Sequence, residues 1–272
     1  MTEILAYLRQ VACGDQIPHE SLAQAVTRFG LSWRQIERIA LENGLLPARY
    51  QRNRNMFSLN QQLQLHSSSV AVAGCGGLGG YVLEELARLG VGRIVAIDPD
   101  VFEVHNLNRQ LLCTPETLGR QKALAAAERI QAVNPAVRVT PICRALDDQN
   151  ATELLAGVHL AVDALDSIAS RRALAKNCRT LGIPMIHGAI AGWYGQLTTI
   201  YPRGDALSKL YAEDEANKGV EVQLGNPSFT PAVIASLQAA EVCKVLLGVG
   251  ESLRSRILMI DLLQMEFTQV PC

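Results

Sequence analysis

Apolar residues in this chain fall into short unbroken runs that alternate with helically spaced stripes. Val70-Ala71-Val72-Ala73 is one unbroken run and Ile94 to Ile97 is another, each of strand length. Between them Val82, Leu83, Leu86 and Leu89 recur at helical spacing and stop at Gly90. Strand, helix and strand in that order predict half of a nucleotide-binding α/β sheet. Downstream, Gly119-Arg120-Gln121-Lys122 is expected to start a helix that runs to about Val133 and is ended by Asn134-Pro135. A strand over Val137 to Cys143 and a short helix over Leu146 to Ala156 follow. Leu160 to Asp166 reads as a buried strand tipped by two carboxylates, with the next helix starting near Ile168. Pro184 to Ile190 and Gln196 to Tyr201 read as strands, and Pro231 to Leu247 as a helix. Ile257 to Ile260 and Glu266 to Val270 read as edge strands, and the polar stretch Pro202 to Ser228 as a mobile crossover loop.

Upstream, the stripes are purely helical. Ile4, Leu5, Leu8 and Val11 share a face, and Ser21 to Phe29 and Ser32 to Leu41 are helical patterns broken at Gly30. Ser32 is the expected N-cap, with Gln35 at capping-box distance. Gly44 and Pro47 end this region, and Asn60 to Leu65 reads as one more helix before the first strand. The predicted architecture is α/β: a Rossmann-like, mainly parallel sheet with antiparallel C-terminal edge strands, over residues 47–272. A small helical appendage, residues 1–46, precedes it.

The chemistry clusters around the first strand. Gly74-Cys75-Gly76-Gly77-Leu78-Gly79-Gly80 joins that strand to its helix. Gly74 and Gly76 allow a tight turn and close approach to a phosphate, Gly79 allows helix and strand to pack, and free N–H groups at the helix start face the anion. Asp98, at the tip of the second strand, suits both hydroxyls of a ribose. On this motif alone, NAD or FAD is the commonest ligand. Pro99 to Gln110 is a long polar connection that supplies Arg109 and Gln110 near the nucleotide. Lys122 lies in the first turn of its helix against the dipole, so it is either exposed or held by an anion. Asp166, at the carboxyl end of a strand, can hold Mg²⁺ on a nucleotide's phosphates or cap the helix that follows. Arg49, Arg52 and Arg54 crowd six residues and read equally well as phosphate contacts or as a solvated basic linker.

Composition narrows the classes. At 272 residues, 49% apolar and 19% charged, the chain is long enough for a sizeable core, and its net charge of −1 argues against a broad nucleic-acid surface. No unbroken apolar run reaches 18 residues and Met1-Thr2-Glu3 carries no basic leader, so a cytoplasmic protein without a membrane role is expected. Seven cysteines with no C-x-x-C support neither a disulfide framework nor a four-cysteine zinc site. Helix–Gly–helix in the appendage invites a DNA-binding reading, but its second helix offers only Arg34, Gln35 and Arg38. A docking or dimer-contact role is the better expectation.

The motifs together resemble the ThiF/MoeB/HesA family, bacterial relatives of ubiquitin-activating enzymes. The matching elements are Arg49-Tyr50-x-Arg52, the Gly74–Gly79 loop, Asp98-x-Asp100, Asn106-Leu107-x-Arg109-Gln110, Gly119-x-x-Lys122 and Asp163-x-x-Asp166 with Arg171. Gly188-Ala189, Gly195-Gln196, Thr230-Pro231 and Ser236-Leu237-Gln238-Ala239-x-Glu241 complete the order. The resemblance is nearest to activators of sulfur carriers. It implies an adenylyltransferase that uses ATP and Mg²⁺ to activate the C-terminal Gly-Gly carboxylate of a small ubiquitin-fold sulfur-carrier protein. Molybdopterin, tungstopterin or thiamine biosynthesis would be the pathway, with a cysteine desulfurase as a candidate partner. It implies that Gly74, Gly76, Gly77, Gly79, Asp98, Asp100 and Asn106 bind the nucleotide. Arg109, Gln110 and Lys122 would neutralise phosphates, Asp166 would hold Mg²⁺, and Arg52 would enter the site of the other subunit of a homodimer. Departures are the missing zinc cysteines, a crossover region, residues 192–229, without cysteine, and Ser167 after Asp166. Asp-Ser there keeps open a tRNA threonylcarbamoyladenosine dehydratase. A non-enzymatic nucleotide-binding regulator with a DNA-binding head is the other alternative.

Overall fold

The computed structural model describes residues 2–204 and 221–272. Three amphipathic helices form the head: α1 (Thr2–Val11), α2 (His19–Phe29) and α3 (Trp33–Glu42). They bury Leu8, Leu22, Ala25, Ile36 and Ala40 in a core of their own. Gly30 takes the left-handed conformation that ends α2 (φ +62°), and the expected capping box starts α3, with Ser32 Oγ accepting from Gln35 N–H. Short strands β1 (Gln16–Ile17) and β2 (Leu46–Pro47) pair in parallel, Ile17 opposite Pro47, so this small sheet straddles the boundary expected at residues 46/47. A 3-10 helix, Ala48–Asn53, leads out, and α4 (Leu59–Ser67) carries the chain to the main sheet.

The body then alternates as its pattern requires: β3 (Ser69–Ala73), α5 (Gly77–Leu89), β4 (Arg93–Ile97), α6 (Lys122–Val133), β5 (Arg138–Ile142), α7 (Ala151–Leu154), β6 (Leu160–Asp163), α8 (Ile168–Leu181) and β7 (Met185–Ala191). The C-terminal half adds β8 (Tyr194–Ile200), α9 (Glu221–Leu224), α10 (Phe229–Leu247), β9 (Arg256–Asp261) and β10 (Glu266–Pro271). Among the described residues the main sheet runs β10-β9-β8-β7-β6-β3-β4-β5. β7, β6, β3, β4 and β5 are parallel neighbours, whereas β7 to β10 pair antiparallel. The chain steps from β3 outward to β4 and β5, then crosses back to β6 on the other side of β3. Ligands of such sheets bind at that switch point, outside the strand tips.

Both faces of the parallel half of the sheet are covered. Val70 and Val72 pack with Val82, Leu86, Ile234 and Val242 of α5 and α10. Ala71, Ala73, Val95 and Ile97, pointing the other way, pack with Leu154, Leu174 and Cys178 of α7 and α8. α10 is long and apolar enough to cross a membrane by length and composition, but its apolar side is spent on this core.

Three expectations shift. The helix expected over Leu146 to Ala156 contracts to Ala151–Leu154, because Asp147 Oδ1 accepts from Gln149 and Asn150 N–H and closes a turn first. β9 lies inside the sheet, so of the two expected edge strands only β10 is an edge. β6 ends at Asp163, which leaves Asp166 in the connection beyond the strand. The crossover loop expected over Pro202 to Ser228 falls largely outside the described residues.

Candidate active site

The turn after β3 and the helix it enters tolerate no side chain at two of their glycines. Gly74 has φ +94°, and a Cβ on it would stand 2.4 Å from Ala164 O. A Cβ on Gly79 would stand 1.8 Å from Gly74 O, so helix α5 can close on the loop only with glycine there. Gly76 starts α5 without a side-chain cap, which leaves the first helical N–H groups turned to the space above β3.

Asp98 fastens this loop from the neighbouring strand. Its Oδ2 accepts from Cys75 N–H at 2.7 Å and its Oδ1 from Asp100 N–H at 2.8 Å. Burial pushes its carboxyl up, opposed by Lys122 and by those two N–H groups. Lys122 is buried at the start of α6, and its Nζ donates to Asp100 Oδ2 at 3.0 Å. A buried ammonium facing its own helix dipole requires an anion, and Asp100 supplies it here. Arg109 Nη1 donates to His105 O and to Asn108 Oδ1 at 3.0 and 2.8 Å. Gln110 is buried beside Gly76 with its Oε1 unpartnered.

On the other side of β3, Ser167 Oγ accepts from Ser170 N–H and caps α8, so Asp166 is not the cap and stands exposed in the cavity wall. The second tip carboxylate is withdrawn from the site. Asp163 is buried, with Oδ1 accepting from Leu165 N–H and Oδ2 2.7 Å from His187 Nδ1. Arg171 donates to Leu165 O from Nη2 at 2.6 Å, which braces the backbone next to Asp166. Burial holds the His187 imidazole below its ordinary range against the pull of Asp163.

These groups enclose a cavity of about 320 Å³ over the strand tips. Gly74, Gly76, Gly77, Asp98, Asp100, Arg109, Gln110, Lys122 and Asp166 all line it. Three expected residues do not. Gly79 acts from below, through packing. Asn106 is buried outside the wall, where its Oδ1 accepts from Glu103 N–H and its carbonyl from Arg109 and Gln110 N–H, so it shapes the turn that presents those two. Arg52 is exposed on the 3-10 helix, away from the cavity of its own chain. Sequence reasoning missed Leu146, at the β5 end of the cavity, and Ile190 and Asn226, at its β7 end. Asn226 Oδ1 is buried without a partner, and its carbonyl accepts from Asn108 Nδ2. No periodicity marks these three; only chain crossings far apart in sequence bring them to the cleft.

Among the described residues no group of three or more His, Cys, Asp or Glu side chains is placed to hold a metal ion. Asp166, an exposed carboxylate that pairs with no cation among the described residues, stands beside the uncapped start of α5 and fits Mg²⁺ carried on phosphate oxygens.

A family model described as the ThiF family matches residues 50–272. The SAMP-activating enzyme E1 of Haloferax volcanii is 39% identical over 218 residues, which cover 77% of this chain and 78% of that protein. The sulfur carrier protein adenylyltransferase of Thermus thermophilus is 38% identical over 217 residues, 77% of this chain and 80% of that protein. A solved structure of Escherichia coli MccB with MccA-N7isoASN has the same fold, with a TM-score of 0.71 at 20% identity, over 94% of this chain and 80% of that one.

Proposed function

The chain belongs to the ThiF family and is an adenylyltransferase, and from that premise we propose that it activates a small ubiquitin-fold sulfur carrier by adenylating its C-terminal glycine. The observation that carries this reading is the set of charges around one cleft: an uncapped helix start, Lys122, Arg109 and Asp166 beside a buried Asp98. ATP lies with its ribose on Asp98, its base towards Leu146 at the β5 end, and its phosphates over Gly74 to Gly77. The carrier's tail enters from the β7 end, past Ile190 and Asn226. A carboxylate oxygen attacks the α-phosphorus, the bond from that phosphorus to the bridging oxygen breaks, and pyrophosphate leaves. The nucleophile is already an anion, so no general base is needed. The protein's work is to hold two anions in line and to neutralise the charge that builds on the phosphate. Arg109 and Lys122 do this, with Lys122 passing from Asp100 to phosphate. Asp166 would hold Mg²⁺, which supplies Lewis-acid neutralisation of the phosphates when bound.

Two further parts belong to the proposal. On the sheet face opposite α10, Tyr194, Met259 and Val270 are exposed, an apolar surface for the carrier's globular body. The working unit is a homodimer, and Arg52 serves the second protomer's site. Tyr50 packs on Gly90 at the C-terminal end of α5, whereas the cavity lies at the N-terminal end. Thirteen helical residues separate the two ends, about 20 Å, which is farther than Arg52 reaches from a position two residues past Tyr50.

The test is carrier-dependent exchange of labelled pyrophosphate into ATP. A ubiquitin-fold carrier from the same genome, ending in Gly-Gly, should support exchange, and removing its last glycine should end it. Asp166→Ala should lower exchange by at least about a hundredfold. Full exchange in Asp166→Ala would remove the metal assignment. Exchange stimulated by tRNA and not by any Gly-Gly carrier would replace the substrate.

A further inference from the structure

The family match begins at residue 50, so it assigns nothing to the helical head. The basic stretch that follows the head gives the clue. Of its three arginines, two are held by head carboxylates. Arg49 Nε stands 3.2 Å from the buried Glu37 of α3, an ion pair not aligned as a hydrogen bond. Its guanidinium also lies 5.4 Å from the Trp33 ring centre, 3.3 Å from His19 Nδ1 and 2.5 Å from Asn134 Oδ1 of the body. Arg54 grips Asp15 through both carboxylate oxygens, Nη1 to Oδ1 at 2.6 Å and Nη2 to Oδ2. Tyr50 donates to Glu37 Oε2 at 3.1 Å and accepts from Asn134 Nδ2 at 2.9 Å. Arg52, between these anchors, is exposed.

A six-residue 3-10 helix does not hold its own shape, since its hydrogen bonds are poorly aligned. Held at both ends and in the middle, it becomes a fixed platform for one outward arginine. The cost of the arrangement points the same way. A buried ion pair returns little net stability, and burial raises the Glu37 carboxyl against it. What such a pair does supply is orientation.

We propose that the helical head is a clamp that positions Arg52 for the active site of a second copy of this chain, with Glu37 and Asp15 as positioning residues acting through Arg49 and Arg54. The proposal rests on the in-trans role given to Arg52 above. An arginine that neutralises transition-state charge must be placed to a fraction of an ångström, and slack in its platform lowers turnover more than ATP binding.

Subunit mixing at pH 8 tests it, read by carrier-dependent pyrophosphate exchange. The clamp variant carries Glu37→Gln and Asp15→Ala, the first nearly isosteric and the second on a partly exposed pair, and its folding is checked by thermal melting. Its kcat should fall about tenfold with the KM for ATP unchanged. Mixed with Asp166→Ala, it should regain half of wild-type activity per heterodimer, because one site then combines an intact Asp166 with a well-held arginine from the partner. Mixed with Arg52→Ala, it should stay low. The opposite pattern, rescue by Arg52→Ala and none by Asp166→Ala, would mean that the head serves its own protomer's site and would overturn the proposal, as would an unchanged kcat. The control mixes Arg52→Ala with Asp166→Ala. If subunits exchange and that pair stays inactive, the in-trans arginine itself fails and the clamp fails with it.

Discussion

At Glu37 burial and pairing pull in opposite directions. Burial pushes its carboxyl up to about 7, while Arg49 and Tyr50 pull it down. Because the folded value lies above the ordinary value of 4.5, the folded protein holds the proton more tightly than the unfolded chain. The resulting stability is complete below that ordinary value and is lost as pH rises to about 7. Glu37→Gln removes the dependence. Its stability relative to wild type should therefore climb between pH 5 and 7.5, by up to about 3 kcal/mol, and level off above. Thermal melts across that range measure this, and a flat difference would contradict a buried carboxylate. Lys122 teaches a related lesson. Its first-turn position demands either exposure or an anion, and the fold resolves this with Asp100. The choice was invisible along the chain because the two residues are 22 positions apart.

Among the elements, those that bury a full stripe or run were legible in advance: β3, α5, β4, α6 and α10 begin and end close to where apolar spacing and the glycines put them. Errors fell where polar side chains compete for the backbone, as at Asp147, or where sheet neighbours are chosen by tertiary contacts, as for β9. The outer strands also carry a prediction. Ile260 packs towards Ile234 of α10, so by alternation Met259 points to the opposite face, where it is exposed, and its neighbour strand adds Val270 there. Met259→Asp combined with Val270→Asp should raise the KM for the carrier by about tenfold or more, by placing charge in an apolar contact, and should leave the KM for ATP unchanged. Equal affinity for carrier in that variant would move the docking surface elsewhere.

At the scale of the whole molecule, the proposed adenylation asks for no thiol. Cys75, Cys113, Cys178 and Cys243 are buried, and burial pushes the Cys178 and Cys243 thiols up to about 12 and about 11, far from the thiolate a nucleophile needs. Residues 192–229 contain no cysteine. A variant without all seven cysteines, if its melting shows it folded, should retain carrier-dependent pyrophosphate exchange within about threefold of wild type, since in the proposed reaction the attacking group is the carrier's own carboxylate. Loss of exchange in that folded variant would place a thiol in the reaction.

Local pattern was enough for the α/β alternation, the glycine loop after β3, the acid at the tip of β4, the capping box of α3 and the family, because each depends on residues a few positions apart whose spacing carries the physics. The order of strands, the withdrawal of Asp163 from the cleft, the contribution of Ile190 and Asn226, and the capture of Arg49 and Arg54 by the head were decided only when distant segments packed together. Side-chain chemistry is written in the chain, but which groups stay exposed and which are consumed by neighbours follows from burial, and burial exists only in the folded molecule.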